Sequence, residues 1–337
     1  KKLYKMKIPF FNYPAVYEKY KKDFHKIFED IGSKGAFIMQ EDLENFEKEI
    51  AEFSGCKYAV GVGNATDALE MLISVSGINH DDEVIISSHT MIATASAIAA
   101  NGAKPIPIEC GSDHLIDPSH IEKAITKKTK YIMPTQLNGR TAKMDQICDI
   151  ANNYGLKIIE DSAQALGSKF KDKNAGTFGV GGCISFYPAK VLGCLGDGGM
   201  VLCNDIDIYN KMIMMRDHGR DPISGDVLLW GRNSRLDNLQ ASFLKHQFKG
   251  YLGVVERRRS IAKIYEMRLS DVSQITLPPK VDDSSEHYDI FQNYEIEADK
   301  RDILKSYLYE NGVGTLIQWG GKGVHQFSEL GFNLSLP

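Results

Sequence analysis

The sequence predicts an α/β fold, with a mostly parallel sheet between helices and a smaller α+β domain at its C-terminal end. Strand-like and helix-like segments alternate over residues 83–108, and the alternation recurs further along the chain. The strand-like runs are apolar, as expected for parallel strands covered on both faces. A length of 337 residues allows one large core and a smaller lobe.

The N-terminal part predicts an arm and two helices. The apolar stretch IPFFNYPAV, which begins at Ile8, contains two prolines and is expected to be an arm. Residues 17–31 and 40–54 each place apolar side chains on one helical face, and Gly32 and Gly35 end the first helix. We expect these helices to lie beside the entrance to the sheet.

The next segment joins a short strand directly to a helix. Residues 57–63 (KYAVGVG) are β-rich, and NATDALEMLISVSG after them favours a helix. The unpaired N–H groups and the dipole of a helix N-terminus suit a phosphate group. Alternatively, Asn64 or Thr66 serves only as a helix cap.

Two further strand-like runs end at or near residues with ionisable side chains. The run 157–160 ends on Asp161, and the run 183–187 ends at Pro188, two residues before Lys190. A glycine-rich loop and an apolar strand at 200–203 follow. Parallel α/β folds place their chemistry at strand ends. The sequence therefore predicts that Asp161 and Lys190 share a site.

The C-terminal third predicts a connector and a small lobe. Helical patterns cover residues 207–216, 236–248 and 251–269, and the last of these is expected to connect the domains. A strand, a helix over 301–311 and another strand in NGVGTLIQW then predict an α+β lobe. We predict a large domain over residues 1–250 and a small domain over 251–337 that is incomplete at its C-terminus.

Composition limits the possible functions. The chain is 43% apolar and 25% charged, with a net charge of −4, which indicates an enzyme rather than a nucleic-acid binder. It has no apolar stretch of about 18 residues and no signal-peptide pattern, so we expect a cytoplasmic protein with no membrane partner. Its six cysteines lack metal-ligand spacing and predict reduced thiols and no metal site.

Lys190 allows two interpretations. A lysine in a loop is usually solvated. In an apolar setting its pKa would instead be depressed, and the free amine could form a Schiff base with a carbonyl. The acid at Asp161 favours the second interpretation, because a pyridoxal phosphate site needs a lysine for the aldehyde and a carboxylate that keeps the pyridine nitrogen protonated.

Five motifs occur in an order that resembles the DegT/DnrJ/EryC1/StrS family of nucleotide-sugar aminotransferases. They are VGNATDAL, HTMIATASAI, EDSAQALG, SFYPAKVLGCLGDGG and NSRLDNLQA. The resemblance extends from Ile8 to about residue 327. It implies the aspartate-aminotransferase fold (fold type I), with a mostly parallel seven-stranded sheet in the large domain. It also implies pyridoxal 5'-phosphate as cofactor and a homodimer with shared active sites.

The resemblance also implies roles for individual residues. Lys190 and Asp161 would be catalytic, and Asn233 would reach the phosphate of the neighbouring subunit. The residues expected to bind the cofactor are Asn64, Ala65, Thr66, Met91, Asp161, Gln164, Ser185, Lys190 and Asn233. Met91 stands where relatives usually carry an aromatic ring that stacks on the pyridine, and a thioether can also pack on a ring face.

Other departures from the family pattern concern the substrate. Gln136 and Asn138 replace a histidine and an aromatic residue, and Trp319 lies where relatives have His-Tyr-Pro. The residues expected to contact the sugar nucleotide are Gln136, His218, Trp319 and His325. The alternatives are a surface turn at Asn138 and Gly139, an exposed His218 and a core position for Trp319.

The implied reaction transfers an amino group from L-glutamate, which leaves as 2-oxoglutarate, to a keto sugar linked to a nucleotide. Tyr187 and the Gly-Asp-Gly-Gly of residues 196–199 resemble the branch that acts on 3-keto sugars. We therefore predict a 3-keto-6-deoxyhexose on dTDP or another nucleotide, used for a surface polysaccharide. A 4-keto sugar or keto-inositol aminotransferase, or a catalytically silent regulatory protein that binds pyridoxal phosphate, is the alternative.

Overall fold

A seven-stranded sheet forms the centre of the molecule. A computed structural model of the chain describes residues 8–282, 285–332 and 334–336. Residues 1–7, which begin the predicted large domain and were used to exclude a signal peptide, lie outside this range. Residue 337, the last of the predicted small domain, also lies outside it. The strands of the central sheet are β1 (Tyr58–Val62), β2 (Glu83–Ser87), β3 (Lys104–Ile108), β4 (Thr129–Met133), β5 (Lys157–Asp161), β8 (Gly181–Ser185) and β9 (Gly199–Cys203).

Two small sheets lie outside the central one. Their strands are β6 (Lys169–Phe170), β7 (Lys173–Asn174), β10 (Ile275–Thr276), β11 (His287–Tyr288) and β12 (Glu297–Ala298). The helices are α1 (Tyr13–Lys34), α2 (Glu41–Ser54), α3 (Ala65–Val75), α4 (Ile92–Ala100), α5 (Pro118–Ala124), α6 (Met144–Tyr154), α7 (Ile206–Arg216), α8 (Asn238–Phe248), α9 (Tyr251–Leu269) and α10 (Arg301–Glu310).

The central sheet is mostly parallel, which confirms the predicted fold class. Its strand order is β1-β9-β8-β5-β4-β2-β3, and β9 pairs antiparallel with both of its neighbours while the strands from β8 to β3 pair in parallel. Every residue of β8 and β9 is buried because helices cover both faces. The carboxyl ends of all strands except β9 therefore lie at one edge of the sheet.

Apolar faces of helices hold this sheet in place. Phe46 of α2 is fully buried and its ring lies 5.4 Å from that of Phe186, just beyond β8. Leu69 and Leu72 of α3 are buried in the core on the other side. Truncation of such a phenylalanine to alanine typically costs about 3–5 kcal/mol. These contacts fix the strand ends that carry the functional residues.

The N-terminal helix begins earlier than its apolar spacing predicts. Asn12 accepts a hydrogen bond from the Ala15 N–H at 3.3 Å, and Pro14 lies in the first turn. Both features favour a helix start at this point. The preceding arm pairs with the C-terminal part, since the Ile8 N–H donates to the Gly312 carbonyl at 2.8 Å.

The C-terminal part differs from the predicted compact lobe. The expected strand in NGVGTLIQW is not formed in the described residues, where Val313 makes only an isolated bridge with Ile8. The segment that begins at β11 packs on the large sheet instead: β11 pairs with β6, and the Ile290 N–H donates to the Gly139 carbonyl at 2.8 Å. This segment thereby reaches the edge that holds the candidate site.

Among the described residues, the helices are all too short or too polar to cross a membrane.

Candidate active site

One edge of the central sheet gathers most of the residues predicted from the motifs. Asn64 follows β1, His89 follows β2, Asn138 follows β4, Asp161 ends β5 and Lys190 follows β8. The N-terminal residue of β9, Gly199, lies at the same edge because β9 runs in the opposite direction. Parallel topology thus brings together side chains that lie far apart in the sequence.

The loop that carries Lys190 is held by hydrogen bonds from two directions. The Lys190 N–H donates to the Tyr187 carbonyl at 2.8 Å, which forms a tight turn after β8. Gln292 donates to the Ala189 carbonyl at 2.8 Å and accepts from the Val191 N–H at 2.9 Å. The lysine is therefore positioned by a side chain from the C-terminal segment as well as by its own strand.

The Lys190 amine and the Asp161 carboxylate, which we call the lysine corner, lie close enough for their charges to interact. Burial lowers the pKa of the Lys190 amine, and the negative charge of Asp161 opposes this shift. A lowered pKa increases the fraction of neutral amine, which is the nucleophilic form. The lowered pKa agrees with the interpretation of Lys190 as a reactive amine rather than a solvated loop residue.

Asp161 is 4% exposed and lies among hydroxyl groups. Its Oδ2 accepts from the Thr94 hydroxyl at 2.6 Å, and its Oδ1 accepts from the Ala163 N–H at 3.2 Å. Burial raises the pKa of this carboxyl, and these two hydrogen bonds and the charge of Lys190 oppose the shift. A carboxylate oxygen has more than one lone pair, so Asp161 retains the capacity to accept a further hydrogen bond.

The N-terminus of α3 provides an anion site at the same edge. The Asn64 side chain accepts from the Asp67 N–H at 2.8 Å and caps the helix. The N–H groups of Ala65 and Thr66 belong to the first turn, where a helix supplies no acceptor. A side chain at Gly199 would place its Cβ 2.4 Å from the Asn64 carbonyl carbon, so glycine lets β9 approach this turn closely.

These features fit pyridoxal phosphate. The lysine corner offers an amine for the aldehyde and a buried acid for the ring nitrogen. The first turn of α3 offers backbone donors and a positive dipole end for the phosphate. Asp161 in particular is a buried carboxylate with spare acceptor capacity and raised pKa, a setting that a protonated ring nitrogen would stabilise.

Three other predicted cofactor residues lie at this edge. Gln164 and Ser185 line a small cavity together with Lys190. The Gln164 side-chain oxygen accepts from the Asn138 N–H at 2.8 Å, and the Ser185 hydroxyl accepts from the Tyr187 N–H at 3.2 Å. Met91 precedes α4 and is 51% exposed, so its thioether is not committed to the core.

Gln136 requires a correction. Its side chain is fully buried, donates to Glu160 at 2.8 Å and accepts from the Ala142 N–H at 2.7 Å. Because both ends of the amide are engaged in the interior, Gln136 cannot contact a sugar as predicted. Glu160 also accepts from the Gly176 N–H, so this pair stabilises the interior.

His218 and Asn233 lie on a loop away from the core. The His218 N–H donates to the Arg232 carbonyl at 2.8 Å, and both predicted side chains are exposed in the single chain. Ile223 and Trp230 on the same loop are each 94% exposed. A loop this apolar is typical of a surface that another chain covers.

Trp319 and His325 return to the sheet edge from the C-terminal part. Trp319 is half-buried, and its ring lies 5.0 Å from that of His89 in an edge-on arrangement. His325 is half-buried beside Val324, whose N–H donates to the Ser88 carbonyl at 2.8 Å. Trp319 is therefore neither a fully buried core residue nor a free surface residue.

The motif analysis missed a polar group at this edge, formed by His89, His114 and Glu295, which we call the histidine cluster. Glu295 lies 3.0 Å from His89 Nε2 and 3.3 Å from His114 Nδ1. The sequence gives one indication of this cluster, because both histidines follow the ends of parallel strands, β2 and β3. Glu295 carries no such signal, because the irregular segment that contains it reaches the edge only through tertiary packing.

Comparisons with known proteins agree with this architecture. The family model of the DegT/DnrJ/EryC1/StrS aminotransferase family matches residues 18–329. The pleiotropic regulatory protein of Geobacillus stearothermophilus is 36% identical over 316 residues, which cover 93% of this chain and 84% of that protein. The dTDP-3-amino-3,4,6-trideoxy-alpha-D-glucose transaminase of Streptomyces venezuelae is 35% identical over 315 residues, which cover 93% of this chain and 82% of that protein.

A solved structure extends the agreement to three dimensions. DesV of S. venezuelae superimposes with a TM-score of 0.92 at 33% identity, covering 98% of this chain and 88% of that chain. The similarity therefore includes both the central sheet and the C-terminal segment that packs on it.

Proposed function

This chain belongs to the DegT/DnrJ/EryC1/StrS aminotransferase family, whose members depend on pyridoxal phosphate, and from that premise we propose that it aminates a nucleotide-linked keto sugar. The amino donor is L-glutamate, which leaves as 2-oxoglutarate. The acceptor is a 3-keto-6-deoxyhexose on dTDP or another nucleotide. The lysine corner is the observation that carries this proposal, because a protein that only binds the cofactor needs no amine of lowered pKa beside a buried acid.

Lys190 acts as nucleophile and proton carrier. Bound pyridoxal phosphate supplies an aldehyde that takes up the donor's amino group and a ring that accepts electron density. The Lys190 Nζ removes the proton from the α-carbon of glutamate in the first half-reaction. It delivers a proton to the sugar carbon that receives the amine in the second. Such a positioned acid–base group contributes a factor of roughly 10² to 10⁴ in rate.

Asp161 holds the proton on the ring nitrogen. Its buried carboxylate, oriented by Thr94, places negative charge where a positive ring nitrogen is needed. Pre-organised charge of this kind stabilises the transition state without reorganisation. Ala65 and Thr66 bind the phosphate through the first turn of α3, while Asn64 caps that helix.

The roles of the remaining predicted residues are assigned from their positions at the edge of the central sheet. Gln164 would face the ring hydroxyl and Met91 would pack on the ring face, while Ser185 borders the cavity that Lys190 also lines. Trp319 and His325 line the cleft for the sugar nucleotide. Their contact with the sheet edge supports a domain arrangement in which residues 251–337 form one side of that cleft.

Two copies of the chain complete each site in this proposal. Asn233 is exposed, and the neighbouring Ile223 and Trp230 present apolar side chains to solvent. A second copy would bury this loop and bring Asn233 to the phosphate bound at the other subunit. His218 would then approach the substrate from the same loop.

The sugar position is proposed from the motif around the lysine. Tyr187 and the Gly-Asp-Gly-Gly of residues 196–199 resemble the 3-keto branch. The Streptomyces relative described above is named for a 3-amino product, which supports the same position. A 4-keto sugar and a keto-inositol are the alternatives within the same chemistry.

A regulatory protein without catalysis is the alternative from another class. It is favoured by one observation, the name of the Geobacillus relative, which is a pleiotropic regulatory protein. Such a protein would bind pyridoxal phosphate and not turn over. Retention of both residues of the lysine corner argues against it.

A half-reaction experiment distinguishes these functions. Addition of L-glutamate to the yellow holoenzyme is expected to remove the colour and to release one equivalent of 2-oxoglutarate per chain. Addition of a 3-keto nucleotide sugar should then restore the colour faster than a 4-keto isomer does. Light scattering on the same sample measures whether the enzyme is a dimer.

Three results would contradict parts of this proposed function. Absence of bleaching with every amino donor tested would favour the regulatory protein, and colour recovery only with a 4-keto sugar would overturn the ring position. A monomeric mass would contradict shared active sites. D-Glutamate serves as the control donor, because it presents its α-proton in the wrong orientation to Lys190.

A further inference from the structure

We propose that His89, His114 and Glu295 bind one divalent transition-metal ion, such as zinc, at the sheet edge. This site shares no residue with the lysine corner, and the proposal does not depend on the transamination. The three residues come from the loops after β2 and β3 and from the C-terminal segment.

The ligand atoms already lie close together. One atom from each of the three residues can be chosen so that all lie within 4.8 Å of one another. The Glu295 carboxylate lies 3.0 Å from His89 Nε2 and 3.3 Å from His114 Nδ1. In a tetrahedral zinc site with metal–ligand bonds of about 2.0–2.1 Å, ligand atoms are roughly 3.3 Å apart. The three ligand atoms would therefore have to approach one another from separations of at most 4.8 Å to surround an ion.

The donor set indicates the class of metal. Two imidazoles and one carboxylate suit zinc and related divalent transition metals, whereas magnesium and calcium prefer oxygen ligands alone. Three protein ligands leave a fourth position for water or another ligand. We therefore expect zinc or cobalt to bind and magnesium not to compete.

Surrounding groups orient the ligands as in known metal sites. The Glu297 carboxylate lies 2.8 Å from His114 Nε2, which turns Nδ1 toward the ion. A carboxylate on the far nitrogen of a ligating histidine is a common feature of zinc sites. Asn138 and Gln318 donate to Glu295 Oε2 at 2.5 and 2.9 Å, which leaves Oε1 toward His89.

The cluster is shielded but accessible. The side chains of His89, His114 and Glu295 are 25%, 15% and 18% exposed. The edge of the Trp319 ring covers His89 at 5.0 Å. An ion can therefore enter from solvent, and it experiences less screening than at an open surface.

A bound ion would tie together three separate segments. His89 and His114 follow strands of the large sheet, whereas Glu295 belongs to the segment that also holds Gln292 against the Lys190 loop. Metal binding would thus fasten the C-terminal segment beside the active site. Without metal, the same atoms form the paired cluster described above.

Metal uptake by the holoenzyme tests this proposal. The protein is dialysed against a chelator, titrated with zinc or cobalt chloride, and the bound metal is measured after gel filtration. We expect one ion per chain, a melting temperature that rises with metal concentration as mass action requires, and no such effect of magnesium. Imidazole coordination is read from the visible absorption of the cobalt form.

Matched variants locate the site. His114→Gln is expected to abolish uptake at this stoichiometry, and Glu297→Gln, at an exposed position, should weaken metal affinity about 10- to 100-fold. His120→Gln removes another partly exposed histidine that pairs with an acid and should leave affinity unchanged.

Two results would overturn the proposal. One is absence of stoichiometric zinc or cobalt uptake by the wild-type holoenzyme. The other is equal affinity in the wild type, Glu297→Gln and His120→Gln, which would place the metal elsewhere, for example on cysteines. Circular dichroism and cofactor absorbance check folding, and if His114→Gln does not fold, the comparison of Glu297→Gln with His120→Gln still decides.

Discussion

The lysine corner and the histidine cluster lie at the same edge of one sheet, and burial favours the neutral forms in both, yet only the lysine corner has net pKa shifts in that direction. Burial lowers the pKa of Lys190 and raises that of Asp161, so both shifts favour the neutral forms. In the cluster, hydrogen bonds to Glu295 raise the pKa of His114 to about 9, and the histidines lower the pKa of Glu295.

The number of partners explains the difference. Asp161 receives one hydroxyl and one N–H bond, whereas the Glu295 carboxylate is surrounded by two imidazoles and two side-chain amides. A buried group with few partners loses more from desolvation than it regains. A reactive amine and a charge-retaining cluster therefore arise at one edge from different local packing.

The largest expected effect is at the lysine. Lys190→Ala removes the amine whose pKa is lowered by burial, and turnover should fall by at least roughly 10² to 10⁴ because the proton carrier is lost. Release of 2-oxoglutarate from glutamate measures this loss. Lys57→Ala, at an exposed lysine, is the control and should keep wild-type turnover. Wild-type turnover in Lys190→Ala would refute the assignment of the catalytic base.

A pair of amide substitutions tests the comparison directly. Asp161→Asn should lower turnover by roughly 10² or more. The unfolding free energy of the cofactor-free protein should stay the same or rise, because the substitution removes a poorly compensated buried charge. Glu295→Gln should instead lower the unfolding free energy by about 1–3 kcal/mol, because charge-assisted hydrogen bonds are lost.

Urea unfolding of metal-free, cofactor-free protein measures both variants. A decrease in stability for Asp161→Asn that matches the decrease for Glu295→Gln would show that the two sites do not differ as described.

The smallest effect concerns the half-buried His287, whose pKa is lowered to about 4 by burial and then by the charge of Arg140. Asp113, Glu286 and a hydrogen bond with the Thr141 backbone oppose the shift. Because the folded-state pKa lies below the ordinary value of about 6.5, the unfolded chain binds the proton more readily. Stability contributed by neutral His287 is present above about pH 6.5 and is lost as the pH falls through about 4.

The unfolding midpoint in urea should therefore decrease less on acidification in His287→Gln than in the wild type. His120→Gln is the matched histidine control and should keep the wild-type slope. Identical pH dependence in all three proteins would mean that folding does not lower the pKa of His287.

Much of the fold was predictable because its signals are local. The strands Glu83–Ser87 and Lys104–Ile108 and the helix Tyr251–Leu269 lie where the apolar patterns predict them. The lysine corner was predictable because Asp161 and Lys190 each follow an apolar strand, and parallel strands end at one edge. Such inferences need only residues that are neighbours in the sequence or in the sheet.

Other features depended on contacts between distant segments. Gln136 was predicted at the substrate, but the proximity of Glu160 and the Ala142 N–H makes it an interior residue. Among the described residues, NGVGTLIQW forms an isolated bridge between Val313 and Ile8 instead of the expected strand. Hydrophobic periodicity carries no information on which segment supplies a partner for a polar side chain or an edge strand.

By itself, the sequence determined the class of fold, the family resemblance and the placement of Asp161 and Lys190 at two strand ends, because strand ends and glycine-rich turns are encoded by neighbouring residues. Only the tertiary structure decided that His89, His114 and Glu295 meet, and that Gln292 holds the Lys190 loop. The physical reason is that these contacts join residues that are separated by very different lengths of chain. Their formation depends on the packing of the whole sheet rather than on any local pattern.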